Sequence, residues 1–302
     1  MRAQFSEDER DHYLTQDEIA RVRKDIDREI VQFDPNDAAS TRVWVDKLRG
    51  EGHLTFYKDK QDLPPGGSDI ASDVFALCIQ TKFQIEAFRN LGNAFLGIDA
   101  THNVTQYKGI LLFTIMARDH WGHGACFSCF LRNAATTECS LGVPVAWMLS
   151  SNGTQATIRF FIDFVKTQSP DVSPAIFMTD RDQAQVNAIR DAYPSSRVYY
   201  CWWHVLRAIR THFVVTEFKD LWGLIQRWVR TPDQYEFDSM WEDIQSDESI
   251  PKSVAQYLAR EWLPVKEMWS AVHRQNRTIF EEGDTNMLLE AYVIVPLHIS
   301  NF

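Results

Sequence analysis

Two short apolar segments of this chain each lead directly into an aspartate. Residues 94–98 precede Asp99, and residues 175–179 precede Asp180. An apolar run of this length, bounded by turn residues, is typical of a buried strand, so a strand is expected to end at each aspartate. Carboxylates at the ends of neighbouring strands meet at one rim of a sheet. The pair therefore predicts a site for a divalent cation such as Mg²⁺, which prefers oxygen ligands.

The competing interpretation of each aspartate is structural, because aspartate is also common in turns and at helix N-termini. The surrounding elements favour a site. Asp99 is followed by an apolar strand at residues 109–117, and Asp180 by a helix at 183–193. This order predicts an α/β fold with a mixed sheet and flanking helices. Asp182, just before that helix, is interpreted as a helix N-cap and, less favourably, as a substitute metal ligand.

Composition limits the class of protein. The chain has 302 residues, is 45% hydrophobic and carries a net charge of −10. This is enough apolar sequence for one or two domains, without the run of about 18 apolar residues that a membrane span requires. Five cysteines without disulfide-scaffold spacing indicate a reduced cytosolic or nuclear compartment. The acidic balance is unlike that of an autonomous DNA-binding protein, which is usually basic.

Basic residues are concentrated between positions 200 and 230, despite the overall negative charge. Arg207 and Arg210 are candidates for contacts to DNA phosphates, and a solvated helix face is the alternative. The region rich in tryptophan, residues 207–277, is predicted to be helical and to be packed by those side chains. Near the N-terminus, Thr15 and Glu18 form a capping-box pattern at the start of a predicted helix over residues 15–33.

Four segments, taken in order, resemble the Mutator-like element (MULE) transposase domain of the fungal type. They are residues 97–103, 143–154, 178–185 and 201–205. The resemblance extends over about residues 75–292. It implies an RNase H-like fold with an α-helical insertion. It also implies a DDE triad that uses two Mg²⁺ or Mn²⁺ ions to cleave DNA at transposon ends and to join it to target DNA. Such an enzyme would work in the nucleus as a homo-oligomer on DNA.

The resemblance assigns site residues. The first two acids of the triad, which are also metal ligands, map onto Asp99 and Asp180. The third acid is expected after the helical insertion, where Glu290 is the candidate. Cys201 and His204 match the family's CxxH element near the site, for which we expect a structural role.

The same comparison predicts domain boundaries. A helical lead-in region covers residues 1–74, and an RNase H-like core with the first two acids covers residues 75–206. The helical insertion covers residues 207–280. A truncated C-terminal element with the third acid covers residues 281–302.

Three departures from the family pattern leave two functions open. Residues 125–142, with Cys126, Cys129 and Cys139, are expected to be an extra segment without a family counterpart. Pro296 interrupts the region after Glu290, and no zinc or basic DNA-binding module is recognised in the sequence. The first hypothesis is a transposase that cleaves and transfers DNA strands. The second is a domesticated or decayed descendant that binds DNA or protein as a regulator without catalysis.

Overall fold

A single seven-stranded sheet organises the part of the chain that the computed structural model describes. That part is residues 32–118 and 142–274, apart from 65 and 67, together with 15, 17–22 and 25. The strands are β1 Leu54–Lys58, β2 Ala76–Gln80, β3 Phe95–His102, β4 Leu111–Ala117, β5 Val143–Ser150, β6 Ile176–Thr179 and β7 Arg197–Tyr200. They lie in the order β1-β2-β5-β4-β3-β6-β7.

The sheet is mixed. In the sheet, the five strands β1, β2, β5, β4 and β3 lie side by side in that order, and each neighbouring pair is antiparallel. Strands β6 and β7 continue the sheet beyond β3 and run parallel to it. The α/β class and the mixed sheet predicted from the order of elements are therefore confirmed.

Helices flank the sheet and then dominate the chain after β7. They are α1 Asp37–Gly50, α2 Lys82–Leu91, α3 Gln155–Thr167, α4 Gln183–Ala192, α5 Trp202–Arg210, α6 Lys219–Arg230, α7 Gln234–Ser246, α8 Lys252–Glu261 and α9 Lys266–Trp269, with 3₁₀ turns at Leu263–Val265 and Ala271–Arg274. Local sequence fixes several of their starts. Thr81 and Gln84 form a complete capping box at α2, and the Thr154 hydroxyl accepts a hydrogen bond from the Thr157 N–H at α3.

A proline lies within β5, an interior strand of the sheet, where a missing N–H would normally break the ladder. The pairing of β4 with β5 shifts between Ile115 and Met116, so that Ile115 pairs with Ala146 and Met116 with Pro144. Val145 is the extra residue of this bulge. The bulge accommodates the proline without ending the strand.

The two faces of the sheet differ in burial. One face includes Ile98, Ile115 and Ala146, all at most 1% exposed. Helix α3 packs on this face, where the rings of Phe56 and Phe160 are 4.6 Å apart. We call the opposite face, which carries Asp99, the acid face. Most of its side chains are only half-buried. A row of paired residues crosses it: Thr55, Ile79, Trp147, Thr114 and Asp99.

Tryptophan packs the helical region that follows β7. The side chains of Trp228, Trp262 and Trp269 are fully buried. The Trp269 indole N–H donates to the Trp262 carbonyl at 2.8 Å, and the Trp202 indole donates to the Trp269 carbonyl at 2.5 Å. Between residues 202 and 274 the described chain is helical without a strand. The helical, tryptophan-packed region predicted for this part is confirmed as far as residue 274, whereas the domain boundaries stay a prediction.

Two parts of the sequence analysis lie outside the described residues. Residues 119–141 include the three cysteines Cys126, Cys129 and Cys139, and residues 275–302 include Glu290. At the N-terminus, the predicted capping box is confirmed, since the Thr15 N–H donates to Glu18 at 2.8 Å and the Glu18 N–H donates back to the Thr15 hydroxyl at 3.2 Å. None of the described helices is both long enough and apolar enough to span a membrane.

Candidate active site

Asp99 and Asp180 lie side by side on adjacent strands. Strands β3 and β6 pair in parallel, with Gly97 opposite Met178. Two further residues along each strand bring Asp99 level with Asp180, which directly follows the last residue of β6. The convergence of the two acids expected from the sequence is therefore observed.

The expectation that a strand ends at each aspartate is correct for Asp180 and wrong for Asp99. Strand β3 continues through Asp99 to His102, because its other edge stays paired with β4: Asp99 lies opposite Thr114, and His102 lies opposite Leu111. The first acid thus projects from the interior of a strand. At Asp99 the backbone of β3 is paired with β4 only, because β6 has already ended at Thr179.

The environment of Asp180 makes its ionised form costly. Burial, followed by the negative charges of Asp99 and Asp182, raises the pKa of the Asp180 carboxyl to about 7. Hydrogen bonds from the Thr179 hydroxyl and the Asp182 backbone N–H oppose this rise only in part. Two neighbouring carboxylates that resist joint ionisation are suited to a cation, whose positive charge would remove the repulsion.

Asp182 has a separate, structural task. Its side chain accepts a hydrogen bond from the Ala184 N–H at 2.8 Å, which places it at the N-cap of α4. The N-cap interpretation of Asp182 is confirmed. Because Asp182 fills this role, Asp180 does not serve as the cap of the same helix.

Cys201 and His204 lie next to the acid pair, at the start of α5. The Cys201 N–H donates to the Thr179 carbonyl at 2.8 Å, which continues the pairing of β6 with β7, and the cysteine is fully buried. His204 is close enough to Asp99 for that charge to raise its pKa, but burial, the larger effect, lowers the pKa, and Arg207 lowers it further. The His204 Nδ1 is enclosed and has no hydrogen-bond partner among the described residues.

The two candidate DNA contacts lie further along the same helix. Arg207 and Arg210 are exposed on α5, and the Arg207 guanidinium lies 4.7 Å from the centre of the Trp203 ring. Both are thus accessible beside the site. Their contact with DNA stays a prediction.

The donor set is that of a hard cation, but it is incomplete in the described part of the chain. Within residues 32–118 and 142–274 there is no group of three or more His, Cys, Asp or Glu side chains positioned to hold a metal ion. Asp99 and Asp180 supply two carboxylates. The predicted third ligand, Glu290, lies outside the described residues. Oxygen donors of this kind fit Mg²⁺ or Mn²⁺ and do not fit a thiolate-rich zinc site.

Sequence reasoning missed two residues that the fold brings to the acids. Thr114 lies directly opposite Asp99 in the sheet. Arg181 donates from Nη2 to Glu261 Oε2 at 2.7 Å, across a separation of 80 residues. Neither carries a local sequence signal. Only the pairing of β3 with β4 and the packing of α8 against the loop after β6 identify them.

Comparison with known proteins identifies one family. No curated protein matches the chain significantly. The sequence profile of the MULE transposase domain matches residues 134–208, a range that includes Asp180, Cys201 and His204. Residues 134–142 fall inside that range, so the expectation that all of 125–142 lacks a family counterpart is wrong for this part. A transposase domain implies DNA as partner, and the family is generally metal-dependent. The match confirms, over residues 134–208, the resemblance of this chain to the MULE transposase domain.

Proposed function

We propose that the chain is a DDE-type Mutator-like transposase that cleaves DNA at transposon ends and transfers the strand to target DNA. Asp99, Asp180 and Glu290 would form its acid triad. The observation that carries the proposal is the register of β3 and β6, which aligns Asp99 with Asp180. The charge of Asp99 also contributes to the raised pKa of Asp180, as expected for acids close enough to share a cation.

The sheet supports an RNase H-like core within this proposal. Strands β3, β4 and β5 follow one another as antiparallel neighbours, and β6 and β7 extend the sheet in parallel on the other side of β3. The strand with the first acid is therefore central, with the strand of the second acid beside it. Strands β1 and β2 would be additions at the edge next to β5.

The acids would hold two Mg²⁺ or Mn²⁺ ions, which when bound supply Lewis-acid stabilisation of the charge that develops on phosphate oxygens. The chain's own contribution is to fix the carboxylates. Asp99 is held in a strand paired with β4, and Asp180 lies at the junction between β6 and α4. The raised pKa of Asp180 keeps its carboxyl partly protonated near neutral pH, so that the proton must leave when this side chain becomes a ligand.

Recognition of DNA would use exposed basic residues beside the acids. Arg207 and Arg210 lie on the helix that starts next to the site, where they could neutralise phosphates of a bound strand. The net charge of −10 limits affinity for DNA without a further basic part. A homo-oligomeric complex on DNA in the nucleus belongs to the same proposal.

The test is cleavage of DNA that carries the terminal repeats flanking the chain's own coding sequence. The full chain should nick this DNA only with Mg²⁺ or Mn²⁺. Asp99→Asn, Asp180→Asn and Glu290→Gln should each remove nearly all cleavage, and the double variants should lose little more, because the acids act as a unit. Asp171→Asn, which changes an exposed carboxylate, is the matched control and should cleave normally. Full cleavage by Asp99→Asn would refute the proposal. DNA binding without cleavage by the unmodified chain would favour the non-catalytic descendant.

A further inference from the structure

A buried hydroxyl lies directly across the sheet from the first acid. Thr114 on β4 is paired with Asp99 on β3 in an antiparallel ladder. Residues directly opposite in such a ladder project from the same face, with their Cβ atoms about 4.5–5.5 Å apart. The threonine side chain is therefore within reach of the Asp99 carboxylate.

This hydroxyl has no hydrogen-bond partner in the described part of the protein. Thr114 is 2% exposed, and its Oγ1 is enclosed without a partner. An unpaired buried polar group typically costs about 1–3 kcal/mol. Valine has nearly the same shape and would avoid this cost. The Thr114 hydroxyl is therefore available to donate a hydrogen bond to a neighbouring acceptor.

The neighbours of Thr114 identify the acceptor. Its paired residue on the other side is Trp147, whose side chain can only donate a hydrogen bond. The residues next to it on the same face of β4 are Leu112 and Met116, which offer no oxygen. Of the two directly paired neighbours, only Asp99 has an acceptor. A change of χ1 rotamer redirects the hydroxyl without any movement of the backbone.

We propose that Thr114 is a positioning residue that donates a hydrogen bond to the ionised Asp99 carboxylate when this carboxylate holds a cation. A hydrogen bond to an ionised acceptor is about twice as strong as a neutral one and fixes the direction of the remaining lone pairs. Loss of such an outer contact typically weakens metal binding about 10–100-fold. The inference rests on the proposed function, because it takes Asp99 as a ligand.

The experiment measures Mn²⁺ binding to the full chain, with free Mn²⁺ counted by electron paramagnetic resonance, and thermal unfolding of the metal-free protein. Thr114→Val should weaken Mn²⁺ binding roughly 10-fold. The same variant should unfold at an unchanged or higher temperature, since it removes an unpaired buried hydroxyl. If the hydroxyl only stabilised the fold, Thr114→Val should instead unfold at a lower temperature. Thr114→Ser should bind Mn²⁺ like the unmodified chain, and Thr114→Ala should bind weakly, which provides a second comparison if the valine variant does not fold.

The chain offers a matched control in the same row of the acid face. Thr55 is also buried, and its Oγ1 likewise has no partner among the described residues, but it lies on β1, with β2, β5 and β4 between it and β3. Thr55→Val should have the same effect on unfolding as Thr114→Val and should leave Mn²⁺ binding unchanged. A loss of affinity in both variants would overturn the inference, because it would reflect a general effect of the substitution.

Asp99→Asn separates this inference from the proposed function. If Asp99→Asn weakens Mn²⁺ binding while Thr114→Val and Thr114→Ala bind normally, Thr114 does not position the acid, and the proposed function stands. If Asp99→Asn binds Mn²⁺ as tightly as the unmodified chain, Asp99 is not a ligand, and both proposals fail.

Discussion

Arg181 and Glu261 form an ion pair with a separation of 2.7 Å between Nη2 and Oε2. The Arg181 guanidinium also lies 4.7 Å from the centre of the Trp262 ring. These contacts tie the residue after the second acid to the end of α8, far along the chain. The loop with Asp180 is therefore positioned from two sides, by the sheet and by the helical region.

We expect Arg181→Ala to reduce DNA cleavage more than it reduces stability. Both partners of the ion pair are about one-third exposed, so water and salt screen the pair and its loss should change the unfolding temperature little. The loop of Asp180 would nevertheless lose its contact with α8. Cleavage rate and unfolding temperature measured on the same variant test this. Arg260→Ala, which removes the other basic partner of Glu261, is the control with normal cleavage expected.

The contribution of Asp180 to the stability of the metal-free protein should fall as pH rises from about 4 to 7. The pKa of Asp180 is about 7 in the folded protein and near its ordinary value of 3.8 in the unfolded chain. In this interval the folded state holds more protons, so the free energy of unfolding falls with pH. Asp180→Asn should remove this slope and stabilise the protein at pH 8 by roughly 1–4 kcal/mol. Urea unfolding at several pH values measures it, and an unchanged slope in Asp180→Asn would contradict the prediction.

Binding of Mn²⁺ should strengthen as pH rises toward 8. A proton and a cation compete for the Asp180 carboxylate, whose pKa is raised to about 7. Affinity should therefore increase with pH below about 7 and level off above it. Titration calorimetry in buffers of different ionisation enthalpy would also detect the released proton. Binding that is equally tight at pH 5.5 and pH 8 would show that Asp180 is not a ligand.

The helical region should depend on one tryptophan cluster. Trp269 is fully buried, with the rings of Trp228 and Trp262 at 4.9 and 6.3 Å. Trp269→Ala should lower the free energy of unfolding by about 3–5 kcal/mol, because it leaves a large cavity and removes the hydrogen bond from the indole N–H to the Trp262 carbonyl. Tyr235→Ala is a suitable control, since Tyr235 is 82% exposed. Chemical denaturation of both variants tests this, and an equal effect would argue against the cluster.

The acid pair can be predicted from the sequence because the apolar runs that indicate its two strands are local features. Apolar runs before Asp99 and Asp180 identify strands, and the resemblance to the MULE transposase domain implies that the two strands are neighbours, as the sheet has them. Sequence alone misplaces the end of β3, because pairing with β4 carries the strand past Asp99 to His102. How far a strand continues depends on its partner.

The relationships that sequence reasoning misses are set by register and by packing over long separations. Thr114 reads as one polar residue in an apolar strand, and only the ladder with β3 places it opposite Asp99. Arg181 and Glu261 are 80 residues apart and belong to the loop after β6 and to helix α8. The tryptophans are different, because their spacing already indicates a packed helical region.

Ala117 and Val143 pair at the end where the chain connects β4 to β5, and this pairing affects how well the protein tolerates insertions. Whatever sequence connects these two residues leaves and re-enters the sheet through one adjacent pair of positions. A doubling of the length of such a connection adds only roughly 0.6 kcal/mol of closure entropy. Copies of this protein could therefore differ greatly in length at this corner, and a fluorescent or affinity tag could be spliced in there, without a shift in the ladder that aligns Thr114 with Asp99.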